Sequence, residues 1–185
     1  MPTPKYDLGP RIDSSHDHYA LLRHTLKEHK PQGTALEFGV GAGESLAIIA
    51  AHMPAVGFDS FQGLPEDWRD EFPKGSFAHP PPIIENSRLV IGHYADTLSI
   101  SKQVMPDDVG LIHIDCDLYS STKTVLDNIT PHIRRGVHIV FDEWHGYDGC
   151  ENHEQRAWKE HADAHPSLTW TVLGHAHEAW SIRID

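Results

Sequence analysis

Three glycines at alternate positions, within Glu37-Phe38-Gly39-Val40-Gly41-Ala42-Gly43, constrain this chain more than any other feature. They lie between residues 34–38, a short apolar run that reads as a strand, and residues 45–53, which read as an apolar helix. Glycine at such a junction lets the backbone come close to a ligand, and the following helix offers its first N–H groups. The junction predicts an α/β sheet with a ligand site beyond the carboxyl end of its first strand.

The rest of the chain repeats the alternation. A helix capped by Ser14 or Ser15 and running to residue 30 is predicted from Tyr19, Leu22 and Leu26 on one face, and Pro31-Gln32-Gly33 ends it. Further strands are predicted at 55–58, 88–91, 111–114 and 137–141, with helices at 118–132 and 151–164. Two closing strands, 168–173 and 178–184, read as a hairpin through Gly174-His175. The alternating part implies a doubly wound, mostly parallel sheet, and the final pair adds one antiparallel strand. Residues 1–185 are expected to form one domain, with 1–13 an irregular arm. Residues 60–87 are too long and too rich in Pro, Gly and charge for a plain connector, which suggests a lid or binding loop.

The glycine spacing narrows the ligand. A dinucleotide fingerprint would place its third glycine at position 44, which is Glu44. A carboxylate there opposes a pyrophosphate but not S-adenosylmethionine, which has no phosphate and carries a sulfonium and an ammonium. Glu37 and Phe38 at the strand end, Gly39, Gly41 and Gly43 in the turn, and Ser45 in the next helix are the candidate contacts at its methionine end. Asp59 follows Gly39 by 20 residues at the end of the second strand, where a carboxylate can accept both ribose hydroxyls. The plainer use of Asp59 is to cap Ser60-Phe61. Ser60 and Phe61 are candidates beside the adenosine, although Phe61 can equally staple its own loop. Tyr94, just after the third strand, is a candidate at the adenine edge.

Bulk properties exclude several classes. With 15 basic and 27 acidic residues the formal net charge is −12, and the basic residues are scattered, so nucleic acid is not an expected partner. No apolar run approaches the ~20 residues of a membrane span, and the first residues lack the apolar core of a signal peptide. Only Cys116 and Cys150 occur, too few for a disulfide framework, and a cytoplasmic protein is expected. A small-molecule acceptor and a homodimer fit so short a chain. The 16 histidines are spread over the chain, with no H-x-x-x-H pair inside an evident helix core, and read mainly as surface residues. Trp144, Trp158, Trp170 and Trp180 read as core or interface.

Several blocks in order, Glu37 to Gly43, Gly57-Phe58-Asp59-Ser60-Phe61-Gln62-Gly63-Leu64-Pro65, Ile114-Asp115-Cys116-Asp117-Leu118-Tyr119-Ser120-Ser121-Thr122, and Gly136 with Phe141-Asp142-Glu143, resemble the macrocin O-methyltransferase (TylF-like) family. The resemblance covers roughly residues 35–147. It implies a Rossmann-like class I methyltransferase fold, S-adenosylmethionine as cofactor, and methylation of hydroxyls on small molecules such as sugars of natural products, often with bound magnesium. Two departures stand out. This chain is shorter than the usual members, and Glu143 stands where the family usually has Asp.

Asp115, Asp117, Asp142 and Glu143 all fall at or just past predicted strand ends. Converging carboxylates repel unless a proton or cation intervenes, and Mg²⁺ or Ca²⁺ suits an all-oxygen set. Such an ion can grip vicinal hydroxyls and lower the pKa of the one to be methylated. Without an ion, Asp117 can cap the helix at 118 and Asp115 can contact the cofactor's amine or the acceptor. Asp115 and His145 are the candidate catalytic groups, His145 as a general base. His93 and His113 are weaker candidates, His113 reading as a packed histidine. Two other readings compete: a non-catalytic cofactor-binding or assembly protein, and a nucleotide-dependent oxidoreductase, which Glu44 disfavours.

Overall fold

The computed structural model describes residues 6–13, 17–99 and 105–185. Seven strands form one sheet in the order β3-β2-β1-β4-β5-β7-β6. They are β1 (Thr34–Phe38), β2 (Ala55–Asp59), β3 (Ser87–Ile91), β4 (Val109–Ile114), β5 (His138–Phe141), β6 (Trp170–Ala176) and β7 (Ala179–Ile184). The pairings β1–β2, β1–β4, β2–β3 and β4–β5 are parallel, whereas β7 runs antiparallel to both β5 and β6. This is the expected mostly parallel sheet with one antiparallel strand. The strands of the centre carry apolar side chains on both faces because helices cover both.

Among the described residues five α-helices accompany the sheet: α1 (Ala20–His24), α2 (Glu44–Ala50), α3 (Tyr94–Thr97), α4 (Tyr119–Ile129) and α5 (Glu154–Ala164). One face packs Leu36, Phe38, Ile112, Ile114 and Phe141 against α4 and α5, with Trp144, Trp158 and Trp180 fully buried. Trp144 and Trp180 stack with ring centroids 4.2 Å apart. The other face packs Ala35, Leu111 and Val140 against α1 and α2 through Leu21, Leu22, Leu46 and Ile49.

The first helix departs from expectation. It covers Ala20–His24, continues as a π-helical turn over Thr25–His29, and stops at Lys30 in the left-handed region (φ 49°). The expected Ser14 or Ser15 cap lies outside the described residues. The hairpin is also displaced. β6 continues through Gly174 and His175 to Ala176 with a bulge between Val172 and Gly174, and the turn falls at His177 and Glu178. Gly174 serves packing rather than turning: a Cβ there would meet the Pro10 carbonyl oxygen at 2.6 Å. The segment around Arg11 lies along this outer strand, with Ile12 N–H donating to the His175 carbonyl and His175 N–H to Pro10. It thereby covers backbone groups that an edge strand would leave unpaired.

Candidate functional site

The carboxyl ends of β1, β2, β4 and β5 open into a cleft of about 610 Å³. Gly39, Gly41, Ser45, Asp59, Ser60 and Tyr94 line one side. Asp115, Asp117, Glu143, His18, His177 and Glu178 line the other, and Trp68, Arg69, Phe72 and Phe77 from the long 60–86 segment lie across it.

The glycine turn is locked to both neighbouring strands. Gly39 has φ 96°, and a Cβ on it would stand 1.6 Å from the Asp115 carbonyl oxygen, so only glycine allows β1 and β4 to run on together. Asp115 N–H donates to the Phe38 carbonyl at 2.9 Å. Asp59 holds the turn from the other side: its Oδ2 accepts the N–H groups of Val40 (2.8 Å) and Gly41 (2.9 Å), and its Oδ1 accepts that of Phe61 (2.7 Å). Capping and loop bracing are therefore both built into Asp59, which still faces the cleft. Among the described residues nothing stands within 4 Å of where a Cβ on Gly41 would be, which leaves a cradle for a ligand against the turn.

Across the cleft lies a chain of buried ionisable groups on adjacent strands. His113 on β4 sits opposite Glu37 on β1, with His113 Nδ1 2.9 Å from Glu37 Oε1 and both side chains fully buried. His113 Nε2 lies 3.7 Å from Asp142 Oδ1, and His18 Nε2 lies 2.5 Å from Asp142 Oδ2. Burial alone would raise the Asp142 carboxyl, but His113 and His18 overcome it and hold it below the usual range. For His113, burial opposes protonation, yet Asp142 and Glu37 lift it well above the ordinary histidine value. The remaining acids move the other way. Burial, reinforced by Asp142, pushes Asp115, Glu143 and Glu154 well up and Asp117 to about 7. One carboxylate oxygen each from Asp115, Asp117 and Glu143 lies within 4.8 Å of the others, as does one ligand atom each from His18, Asp142 and Glu143. Glu143 Oε2 and Glu154 Oε1 are buried with no hydrogen-bond partner. A cation is the ordinary remedy for buried acceptors of this kind.

A family model described as a methyltransferase domain matches residues 36–144, more than half of the chain and nearly all of both walls of the cleft. The chain belongs to the methyltransferase domain family. It is an S-adenosylmethionine-dependent methyltransferase with the class I strand order. Among solved structures, it is similar to CalS11, a calicheamicin methyltransferase, at 27% identity and a TM-score of 0.64 over 90% of this chain and 76% of that one. The O-methyltransferase NovP shares the fold at 19% identity and a TM-score of 0.64, over 87% of this chain and 75% of that one. So does an O-methyltransferase from Bacillus cereus in complex with SAH, at 15% identity and a TM-score of 0.58, over 95% and 83%. No curated protein matches the sequence.

In this methyltransferase the candidate residues divide. Gly39, Gly41, Ser45, Asp59, Ser60, Tyr94, Asp115, Asp117 and Glu143 face the cleft. Glu37, Phe38, Gly43, Phe61 and Asp142 stand behind its lining. Phe38 is core, stacked on Phe58 with centroids 4.9 Å apart. Glu37 points down to His113 instead of up to a ligand. Phe61 is buried against α2 and its neighbours, the stapling role. Asp117 does not cap α4, which has no side-chain cap, and its left-handed backbone (φ 60°) turns the carboxylate toward the other acids. His145 does not line the cleft. Its ring packs on His175 (5.2 Å), and burial followed by His175 lowers it to about 4. His18 was not legible as a site residue, because nothing in its local pattern shows that the segment before α1 returns to the end of β5. Arg69 was missed as well. Its guanidinium lies 3.9 Å from the Trp68 ring centroid and 3.5 Å from that of Tyr147, and pairs with Glu178 at 2.6 Å, tying the 60–86 segment to the β6–β7 turn.

Proposed function

We propose that this methyltransferase delivers its methyl group to a hydroxyl of a small polyhydroxylated molecule, such as a sugar or a sugar-bearing natural product, in the manner of the TylF-like enzymes it resembles. The observation that carries the reading is the facing of two unlike walls across one cleft: an open glycine cradle opposite Asp115, Asp117 and Glu143. CalS11, the similar structure at 25–27% identity, is described as a TDP-rhamnose 3'-O-methyltransferase, which supports a sugar hydroxyl as the target class.

The residues take distinct parts. Gly39 and Gly41 receive the methionine end of the donor with Ser45 beside them. Asp59 keeps the turn in shape and offers its remaining lone pair to the ribose, while Tyr94 bounds the adenine side. Asp115 lies on the acceptor wall; burial and Asp142 push its carboxyl well up, so its ionised form is a stronger base than an ordinary carboxylate for the acceptor's proton. The methyl group passes from sulfur to the acceptor oxygen as that proton leaves, and no water is needed in the step. Asp115, Asp117, Asp142 and Glu143 would hold a divalent ion, and the unpartnered Glu143 Oε2 fits that use. When bound, the ion supplies Lewis-acid lowering of the acceptor's hydroxyl pKa. Trp68, Phe72 and Phe77 screen the cleft from solvent on the side of the 60–86 segment.

The test is methyl transfer from labelled S-adenosylmethionine to a panel of sugars, glycosides and catechols, with magnesium and with EDTA. Transfer to hydroxyls that falls in EDTA and returns with magnesium is expected. Transfer to nitrogen or carbon acceptors only would overturn the reading.

A further inference from the structure

The second group of potential ligand atoms is not made of oxygens alone. His18 Nε2, Asp142 and Glu143 each place one donor atom within 4.8 Å of the others. The three come from two segments that meet only in the folded chain: Asp142 and Glu143 directly follow β5, and His18 lies two residues before the start of α1. Asp142 and Glu143 are nearly fully buried; Asp142 Oδ2 lies 2.5 Å from His18 Nε2, and Glu143 Oε2 has no hydrogen-bond partner, so unspent acceptor capacity remains beside His18. The imidazole is packed edge-on against Tyr19 (4.7 Å) and His177 (5.1 Å), while 42% of its side chain remains exposed to the cleft. One histidine with two carboxylates is the donor set of borderline divalent ions. Mg²⁺ and Ca²⁺ take oxygen and gain little from imidazole.

We infer that His18 is a nitrogen ligand of the ion held by this site, and that the centre therefore selects Mn²⁺, Co²⁺ or Zn²⁺ over Mg²⁺. The inference rests on the proposed ion at the acid wall and adds to it the identity of the metal and a ligand outside the residues that the family model spans. A structural alternative is that His18 serves only as an ion-pair partner that closes over Asp142.

Mn²⁺ added to the whole protein separates the two. Pulsed electron paramagnetic resonance on the Mn²⁺-loaded enzyme is expected to show nitrogen coupling from one imidazole, absent in His18→Ala. Calorimetry is expected to give tighter binding of Mn²⁺ than of Mg²⁺, with the preference shrinking on the order of tenfold in His18→Ala. Thermal unfolding and S-adenosylhomocysteine binding of the variant check that it is folded, and His18→Gln serves as a second variant. Mn²⁺ bound without nitrogen coupling, or with the same preference in wild type and both variants, overturns the nitrogen ligand but leaves an all-oxygen ion at Asp115, Asp117 and Glu143 standing. Failure of either metal to bind a folded protein that still binds S-adenosylhomocysteine overturns both the nitrogen ligand and the proposed ion.

Discussion

The two walls of the cleft are built on opposite principles. On the β1–β2 wall the key acid, Asp59, spends its oxygens on three backbone N–H groups of the chain itself. That wall is shaped before any ligand arrives. On the β4–β5 wall the acids are held without enough partners: Glu143 and Glu154 each keep a buried oxygen unpaired, and four carboxyls there are pushed toward their protonated forms. Unpaired buried charge costs several kcal/mol in a low-dielectric setting. The lesson is that one wall is complete and the other depends on what binds to it. Glu37 and His113 connect the two through the floor of the sheet, and Gly39 against Asp115 connects them through the backbone.

The strongest way to break the arrangement is at that backbone seam. Gly39→Ala forces a Cβ into the Asp115 carbonyl at a left-handed φ, and should cost more than about 3 kcal/mol of stability, read as a lower urea midpoint. A variant with an unchanged midpoint would mean that β1 and β4 are not coupled there. Next in size is Asp59→Ala. It removes the acceptor of three N–H groups from the finished wall, so S-adenosylmethionine affinity should fall by about 1–3 kcal/mol while the metal site is untouched. Unchanged affinity in calorimetry would show that the turn keeps its shape without the carboxylate.

The smallest expected effect is a difference in sign with pH. Asp117 is raised from 3.8 to about 7, first by burial and then by Asp142. The folded state therefore binds its proton more readily than the unfolded chain, and this contribution is full below about pH 4 and lost as pH rises through 7. His161 shows the reverse. Burial, then His165, lowers it to about 4, so its contribution is present above its unfolded value of 6.5 and lost as pH falls through 4. In EDTA, Asp117→Asn should raise the melting temperature at pH 7 by ~3 °C and give no gain at pH 4. Asparagine also tolerates the left-handed backbone at this position. A gain that does not shrink on acidification would mean that the backbone, and not the carboxylate, is responsible.

Much of this was legible in the sequence because it is local. The glycine turn, the strand ends at Asp59, Asp115 and Asp142, and the adjacency of the last two follow from periodicity and the rules of parallel sheets. What was hidden depends on contacts between distant segments. His18 gains meaning only when its segment returns to β5. His113 reads as a packed histidine, but its partners lie one strand away on either side. Gly174 reads as a turn residue because its close approach to Pro10 is 164 positions away in sequence. His145 follows the paired acids in sequence, yet the chain bends there and delivers it to His175 instead.

The central claim is that the donor needs only the finished wall and that the acid wall serves the acceptor and its ion. Calorimetric titration of S-adenosylhomocysteine into wild type and Asp142→Asn, each with added Mn²⁺ and with EDTA, tests it directly. The account predicts the same affinity, within about twofold, in all four titrations, together with methyl transfer lowered roughly 10- to 100-fold in Asp142→Asn. Cofactor binding that collapses in EDTA or in Asp142→Asn would contradict the division of the cleft into two walls.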